Sequence, residues 1–193
     1  MKTSRLRKME LTVSWGTSYY RWAAELEKVL RKKPRTLRID IIGSGEVDAD
    51  AALLIRSALL ARSPKTRIIT NARSSLQGAS VMIWLLGDTR LIRDDARIFF
   101  RRADLPEGIE VDPNADWKAD EAAYRDSFSQ VDPDEGDYAR VLQVIDEFLP
   151  VKELVGRLIG VAVLKQFGLI ENERADTFLA SAFSKSQPDL AFR

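Results

Sequence analysis

An α/β fold with a largely parallel sheet is what this sequence predicts. Short β-prone runs at residues 10–13, 37–42, 67–70 and 96–100 alternate with apolar or amphipathic helical stretches. That alternation is how strand–helix–strand units with parallel strands read in sequence. Glycine, proline or small polar residues stand at the junctions, and 193 residues suit one domain with a core of ordinary size.

The run at 10–13 is broken by Trp15-Gly16-Thr17-Ser18, and Ser18 can cap a helix over 19–31. Trp22, Leu26, Val29 and Leu30 form its apolar stripe. Pro34 ends it, because the residue before a proline disfavours helix. The strand at 37–42 runs into the turn Gly43-Ser44-Gly45. Asp48 or Asp50 can then cap a helix through Ala61, with Leu53, Leu54, Ala58 and Leu59 on one side and Ser63-Pro64 as its stop. After the strand at 67–70 comes a polar loop, and residues 78–86 read as a helix or buried segment entered through Gly78-Ala79-Ser80. Residues 87–90 read as a turn and 96–100 as a strand. Residues 138–149 form an amphipathic helix, and Pro150 separates it from a helical run over 151–167 that Gly168 closes as a C-cap. The predicted organisation is a loose basic arm (1–10), a core (11–103), an acidic excursion or handle with one helix at 117–128 (104–137), C-terminal helices completing the core (138–183), and a tail (184–193).

Composition excludes chemistry before any motif is weighed. There is no cysteine and no histidine. That removes the thiolate nucleophile, the imidazole base, the Ser-His-Asp triad and metal sites ligated by Cys or His. No metal and no cofactor are expected. Proton transfer would fall to Lys, Asp, Glu, Tyr or water. No apolar run reaches the roughly 18–20 residues that span a bilayer, and no signal-peptide core follows the basic start. The sequence therefore reads as a soluble, cytoplasmic protein. The net charge of +1 hides an asymmetry: residues 1–103 carry 21 basic and 10 acidic side chains, and 104–137 carry 2 and 12. The Lys and Arg of the first half are spread over several elements instead of clustering with aromatics on one face. Charge complementarity within the chain or between subunits is favoured over a nucleic-acid site.

Two short motifs could carry chemistry. Gly43-Ser44-Gly45 follows a strand and precedes a helix, the context for anion binding by backbone amides. A dinucleotide fingerprint needs a third glycine where Asp48 stands, and no Walker lysine follows. In Gly78-Ala79-Ser80 a serine opens an apolar helix, either beside amides that could stabilise an oxyanion, or as an N-cap or a small residue at a crowded packing point.

Taken with the strand at 96–100, the order of these motifs resembles the proteolytic subunit of the Clp protease within the Clp/crotonase superfamily, whose fold is a repeated ββα spiral. Ile42-Gly43-Ser44-Gly45-Glu46-Val47 is similar to the family's glycine turn, Gln77-Gly78-Ala79-Ser80-Val81-Met82 to its nucleophile element, and Lys165-Gln166-Phe167-Gly168-Leu169-Ile170 to its closing Gly-Leu-Ile element. The resemblance implies Ser80 as nucleophile and the amides of Gly45 and Val81 as the oxyanion hole. It also places Arg101 where the family has its histidine base. The family's acid falls near Gly156, with Glu153 the nearest carboxylate. An arginine, with a pKa above about 12, takes no proton from serine at neutral pH. It could instead hold a carboxylate, from a peptide or from the acidic segment.

The resemblance thus implies a catalytically impaired Clp-type subunit, a binding or structural member of a homo-oligomer, with peptide or protein as a further partner and neither membrane nor nucleic acid involved. Three alternatives stay open: a serine hydrolase that uses Ser80 with Lys152 or Lys165 as base, a crotonase-like acyl-binding protein with Glu46 as its acid, or an unrelated α/β interaction domain.

Overall fold

The computed structural model describes residues 6–14, 17–43, 45–102 and 135–170. Along the chain come β1 (Arg7–Val13), α1 (Tyr19–Arg31), β2 (Thr36–Gly43), α2 (Ala49–Leu60), β3 (Arg67–Ala72), β4 (Leu76–Gln77), α3 (Ala79–Leu85), β5 (Thr89–Ile92) and β6 (Arg97–Phe99). Then follow α4 (Glu135–Asp146), α5 (Val151–Leu154), β7 (Ile159–Gly160) and α6 (Val161–Gln166). Ser44, the helix at 117–128, nearly all of the acidic excursion and the tail lie outside the described residues.

β1, β2, β3 and β5 form a parallel sheet in that order, with Leu11 opposite Ile41 and Ile39 opposite Thr70. Alternation explains β2: Leu37, Ile39 and Ile41 are fully buried, while Arg38, Asp40 and Ile42 between them are half-buried. Ser18 caps α1 by accepting from the Arg21 N–H. The helix buries Tyr19, Ala23, Leu26 and Leu30, and the Trp22 indole donates to the Glu10 carbonyl of β1 at 2.7 Å. In α2 the buried side is Ala51, Ala52, Ile55, Ala58 and Leu59, whereas Leu54 is 50% exposed. The core face therefore runs through Ile55, one position along from the expected stripe. Asp48 occupies the N-cap position of α2 without a side-chain capping bond. Every residue of α3 is buried, as a helix apolar on all sides requires. Trp84 ties it to the sheet, its indole donating to the Leu91 carbonyl at 2.9 Å while its own carbonyl accepts from the Thr70 hydroxyl at 2.7 Å.

A second, three-stranded sheet runs β4–β6–β7, parallel between β4 and β6 and antiparallel between β6 and β7. A single parallel bridge from Glu46 to Gln77 extends it to the turn after β2.

Three local expectations change. Residues 7–10, expected as part of a loose arm, belong to β1 and pair with 37–40. An edge strand needs only part of its length apolar, and exposed Arg7, Lys8 and Glu10 protect it from adding a further strand. The turn expected at 87–90 gives way after Asp88 to β5, whose start is fixed by the Ile68 N–H donating to the Asp88 carboxylate at 2.7 Å. The run at 151–167 divides into α5, β7 and α6, because β6 recruits Ile159–Gly160 as a partner. No described helix is long and apolar enough to cross a membrane.

The turn that leaves β2 is held by backbone contact. Gly43 has φ +114, and a Cβ there would overlap the Val13 carbonyl oxygen of β1. Gly43→Ala is therefore expected to lower stability by at least about 2 kcal/mol. Urea unfolding checks this, with a lower midpoint and an unchanged slope.

Candidate active site

The two sheets bring the motifs together. The Glu46–Gln77 bridge lays the glycine turn beside the strand that enters α3. Gln77 in turn pairs with Phe99 of β6, and the Gly78 N–H donates to the Phe99 carbonyl at 2.9 Å. Gly45, Ser80, Val81 and Arg101 thus lie on segments joined by three successive backbone contacts. Gly156 reaches the same place, its N–H donating to the Phe100 carbonyl at 2.9 Å. The segments that carry Arg101 and Gly156 are therefore neighbours in space.

Gly78 enters α3 with φ +51 and ψ −126, a conformation open to glycine and costly for other residues. Its missing side chain also leaves space for the Glu46 carboxylate, which a Cβ would overlap. Gly78, not Ser80, holds the N-cap position. Ser80 is fully buried, and its hydroxyl folds back on Gln77, donating to that carbonyl at 2.6 Å and accepting from that N–H at 3.0 Å. The Val81 N–H donates to the Gly78 carbonyl at 3.1 Å. The Ser80 proton is thus held by a neutral amide carbonyl.

Arg101 is only 4% exposed. Its Nε donates to Glu46 Oε2 at 3.3 Å, with the two side chains 4% and 10% exposed. The guanidinium carbon stands 3.7 Å above the centre of the Tyr138 ring, and the Arg101 backbone N–H donates to the Tyr138 hydroxyl at 3.2 Å. Stacking and ion pairing together suit the planar guanidinium as they would not suit lysine. Glu46, which the sequence offers as an acid at the helix entry, is instead turned inward. The Tyr19 hydroxyl donates to both the Ser14 and Glu46 carbonyls, at 3.2 and 3.4 Å, and steadies this turn. Burial, its strongest influence, pushes the Tyr19 hydroxyl pKa above the usual range.

The other candidates stand apart. Lys152, Lys165 and Glu153 are exposed, and among the described residues the hydrogen bonds of the Ser80 hydroxyl go to Gln77 alone. Among the described residues no group of three potential metal ligands comes together. What the sequence concealed is the cluster of Glu46, Arg101 and Tyr138. Its one signal was the arginine at the base position, which asks for a carboxylate.

Sequence comparison with protein-family models and with curated proteins finds no match. Fold comparison does. The catalytic domain of the ClpP protease from Plasmodium falciparum superimposes with a TM-score of 0.58 at 14% identity, over 86% of this chain and 83% of that one. The fold is of the ClpP type. A ClpP1 variant from Listeria monocytogenes gives a TM-score of 0.51 at 13% identity, covering 86% of this chain and 89% of its own. ThnE from S. clavuligerus gives 0.55 at 15%, covering 93% and 78%. At these identities the likeness is one of fold, and it fits a Clp/crotonase-like spiral with a largely parallel sheet.

Within this ClpP-type fold the buried pair makes a measurable claim. Breaking a buried ion pair by removing one partner is strongly destabilising, so Arg101→Ala or Glu46→Ala is expected to cost about 3–5 kcal/mol. The double variant should cost less than the sum of the two. Chemical denaturation of the four proteins measures that coupling, and additive losses would mean the pair is not formed.

Proposed function

We propose that this chain is a catalytically silent Clp-protease-like subunit that acts as a binding or structural member of a homo-oligomer. The observation that carries the reading is Arg101: the position of the base holds a buried guanidinium, paired with Glu46 and stacked on Tyr138. Such a group cannot accept a proton from Ser80, and it is committed to a carboxylate.

Three features support the loss of chemistry. The Ser80 hydroxyl spends its hydrogen bonds on Gln77. The Val81 amide, a suggested oxyanion donor, already bonds the Gly78 carbonyl. The lysines that could replace the base are exposed, without the burial that activates a lysine. Removing any member of a triad leaves about 10³–10⁴-fold over water, too little for a working peptidase. For assembly, the support is the ClpP-type fold together with Leu54 and Leu60 of α2, which are 50% and 56% exposed.

Incubation with a fluorophosphonate probe followed by intact-mass measurement tests the chemistry. No adduct is expected, and stoichiometric labelling that vanishes in Ser80→Ala would establish a serine hydrolase instead. Light scattering after size exclusion tests the assembly. A mass several times that of the 21.8 kDa chain is expected, and a monomer throughout the micromolar range would remove the oligomeric half of the proposal.

A further inference from the structure

Unpaired cations gather at one end of the larger sheet. Because β1, β2 and β3 run parallel, their starts lie side by side, with Arg7 opposite Leu37 and Thr36 opposite Arg67. α1 and α2 return the chain to the same end, and the loops that follow them are tied together there. The Thr66 hydroxyl donates to the Pro34 carbonyl at 2.6 Å, and the Arg67 N–H donates to the Arg35 carbonyl at 2.9 Å. Arg7, Lys32, Lys33, Arg35 and Lys65 are exposed at this edge, and among the described residues none of them has an ion-pair partner. Glu27 and Asp88 are already paired with Arg31 and Arg62. In the sequence these cations are scattered over three segments, and the parallel topology collects them. Lys33 also stands at φ +49, a left-handed position after a helix that glycine fills at least cost. We propose that this edge is the docking surface for the acidic segment 104–137 of a second copy of the chain. The proposal rests on the oligomeric half of the reading above and names its contact.

Charge complementarity selects the partner. Like charges held together repel one another, so such an edge gains stability from an anion laid across it. Every copy of the chain brings one in equal amount, since residues 104–137 carry 12 acidic and 2 basic side chains within a net charge of +1. Nucleic acid fits less well, because residues 31–38 and 62–67 contain no aromatic side chain on which a base could stack. Position favours a second copy over the same one. Arg101 meets Glu46 beyond the far end of β2 and Tyr138 stacks on it there, so the described residues that flank the acidic segment lie at the opposite end of the sheet. β2 separates the two ends by about 25 Å. To reach its own basic edge the segment would run that distance twice, using about 15 residues as spacer. Between copies no such detour is needed, and one charged end meeting the opposite end of the next molecule is a head-to-tail contact, which closes into a ring or continues as a filament.

Zero-length crosslinking of the full chain tests the contact. A carbodiimide joins a lysine amine to a carboxylate where the two touch, and an equal mixture of isotope-labelled and unlabelled protein separates links between copies from links within one. In about 0.05 M sodium chloride, mixed-isotope links from Lys32, Lys33 or Lys65 to Asp or Glu within 104–137 are expected. In about 0.5 M sodium chloride, where exposed charges are screened, their yield should fall at least about tenfold. The triple variant Lys32→Glu, Lys33→Glu, Lys65→Glu changes exposed positions, so it should keep native circular dichroism. Its self-association constant, measured by sedimentation velocity at the lower salt, should weaken at least about tenfold. Links within single copies alone, links from these lysines to other parts of the chain, no links, or an unchanged association constant would each overturn the proposal. A DNA duplex that binds the chain more tightly than the copies bind one another, and loses that binding in the same variant, would overturn the choice of partner. An oligomer by light scattering that lacks these links removes this inference alone, whereas a monomer removes the oligomeric half of the reading above as well.

Discussion

A buried guanidinium is the constraint around which this molecule is arranged. Moving an isolated ion into the interior costs several kcal/mol even after relaxation, so Arg101 at 4% exposure demands a carboxylate, an aromatic face, or both. It has both, and they come from distant parts of the chain: Glu46 from the turn after β2, and Tyr138 from α4. The demand of one side chain thereby fastens the parallel sheet, the smaller sheet and the C-terminal helices to one another. Removing either partner would take away a buried contact of that charge, so the three side chains are expected to depend on one another.

The same cluster lies where two turns of this ClpP-type fold meet. Gly43 presses against β1 and Gly78 opens α3, so the two turns that flank the site are set by backbone sterics and not by catalysis. Ser80 contributes two hydrogen bonds to the strand before it, a structural use of a hydroxyl that needs no base. A glycine turn and a buried serine are therefore weak evidence of activity here. On the proposed reading the residue that decides the matter is Arg101, since a guanidinium takes no proton from a serine.

Much of the fold was legible because its elements are locally coded. Ser18 capped α1, the alternation of Leu37, Ile39 and Ile41 placed β2, and the apolar run after Gly78 gave a helix buried on all sides. What escaped was set by tertiary pairing. β5 and β7 are short segments with little pattern of their own, made into strands by β3 and β6. The inward turn of Glu46 escaped for a related reason, since its burial depends on an arginine 55 residues away. Sequence located that arginine and its need for a carboxylate, offered from a peptide or the acidic segment; among the described residues Glu46 supplies one, and the acidic segment lies almost entirely outside them.

The central claim is that the Arg101 guanidinium is sequestered by Glu46 and Tyr138. The most direct measurement is hydrogen exchange of the arginine Nε–H groups by NMR, with the Arg101 signal assigned by its loss in Arg101→Lys. The account predicts an Nε–H protected by orders of magnitude relative to a surface arginine such as Arg31, whose side chain is 77% exposed. An Arg101 Nε–H exchanging as fast as that of Arg31 would contradict it.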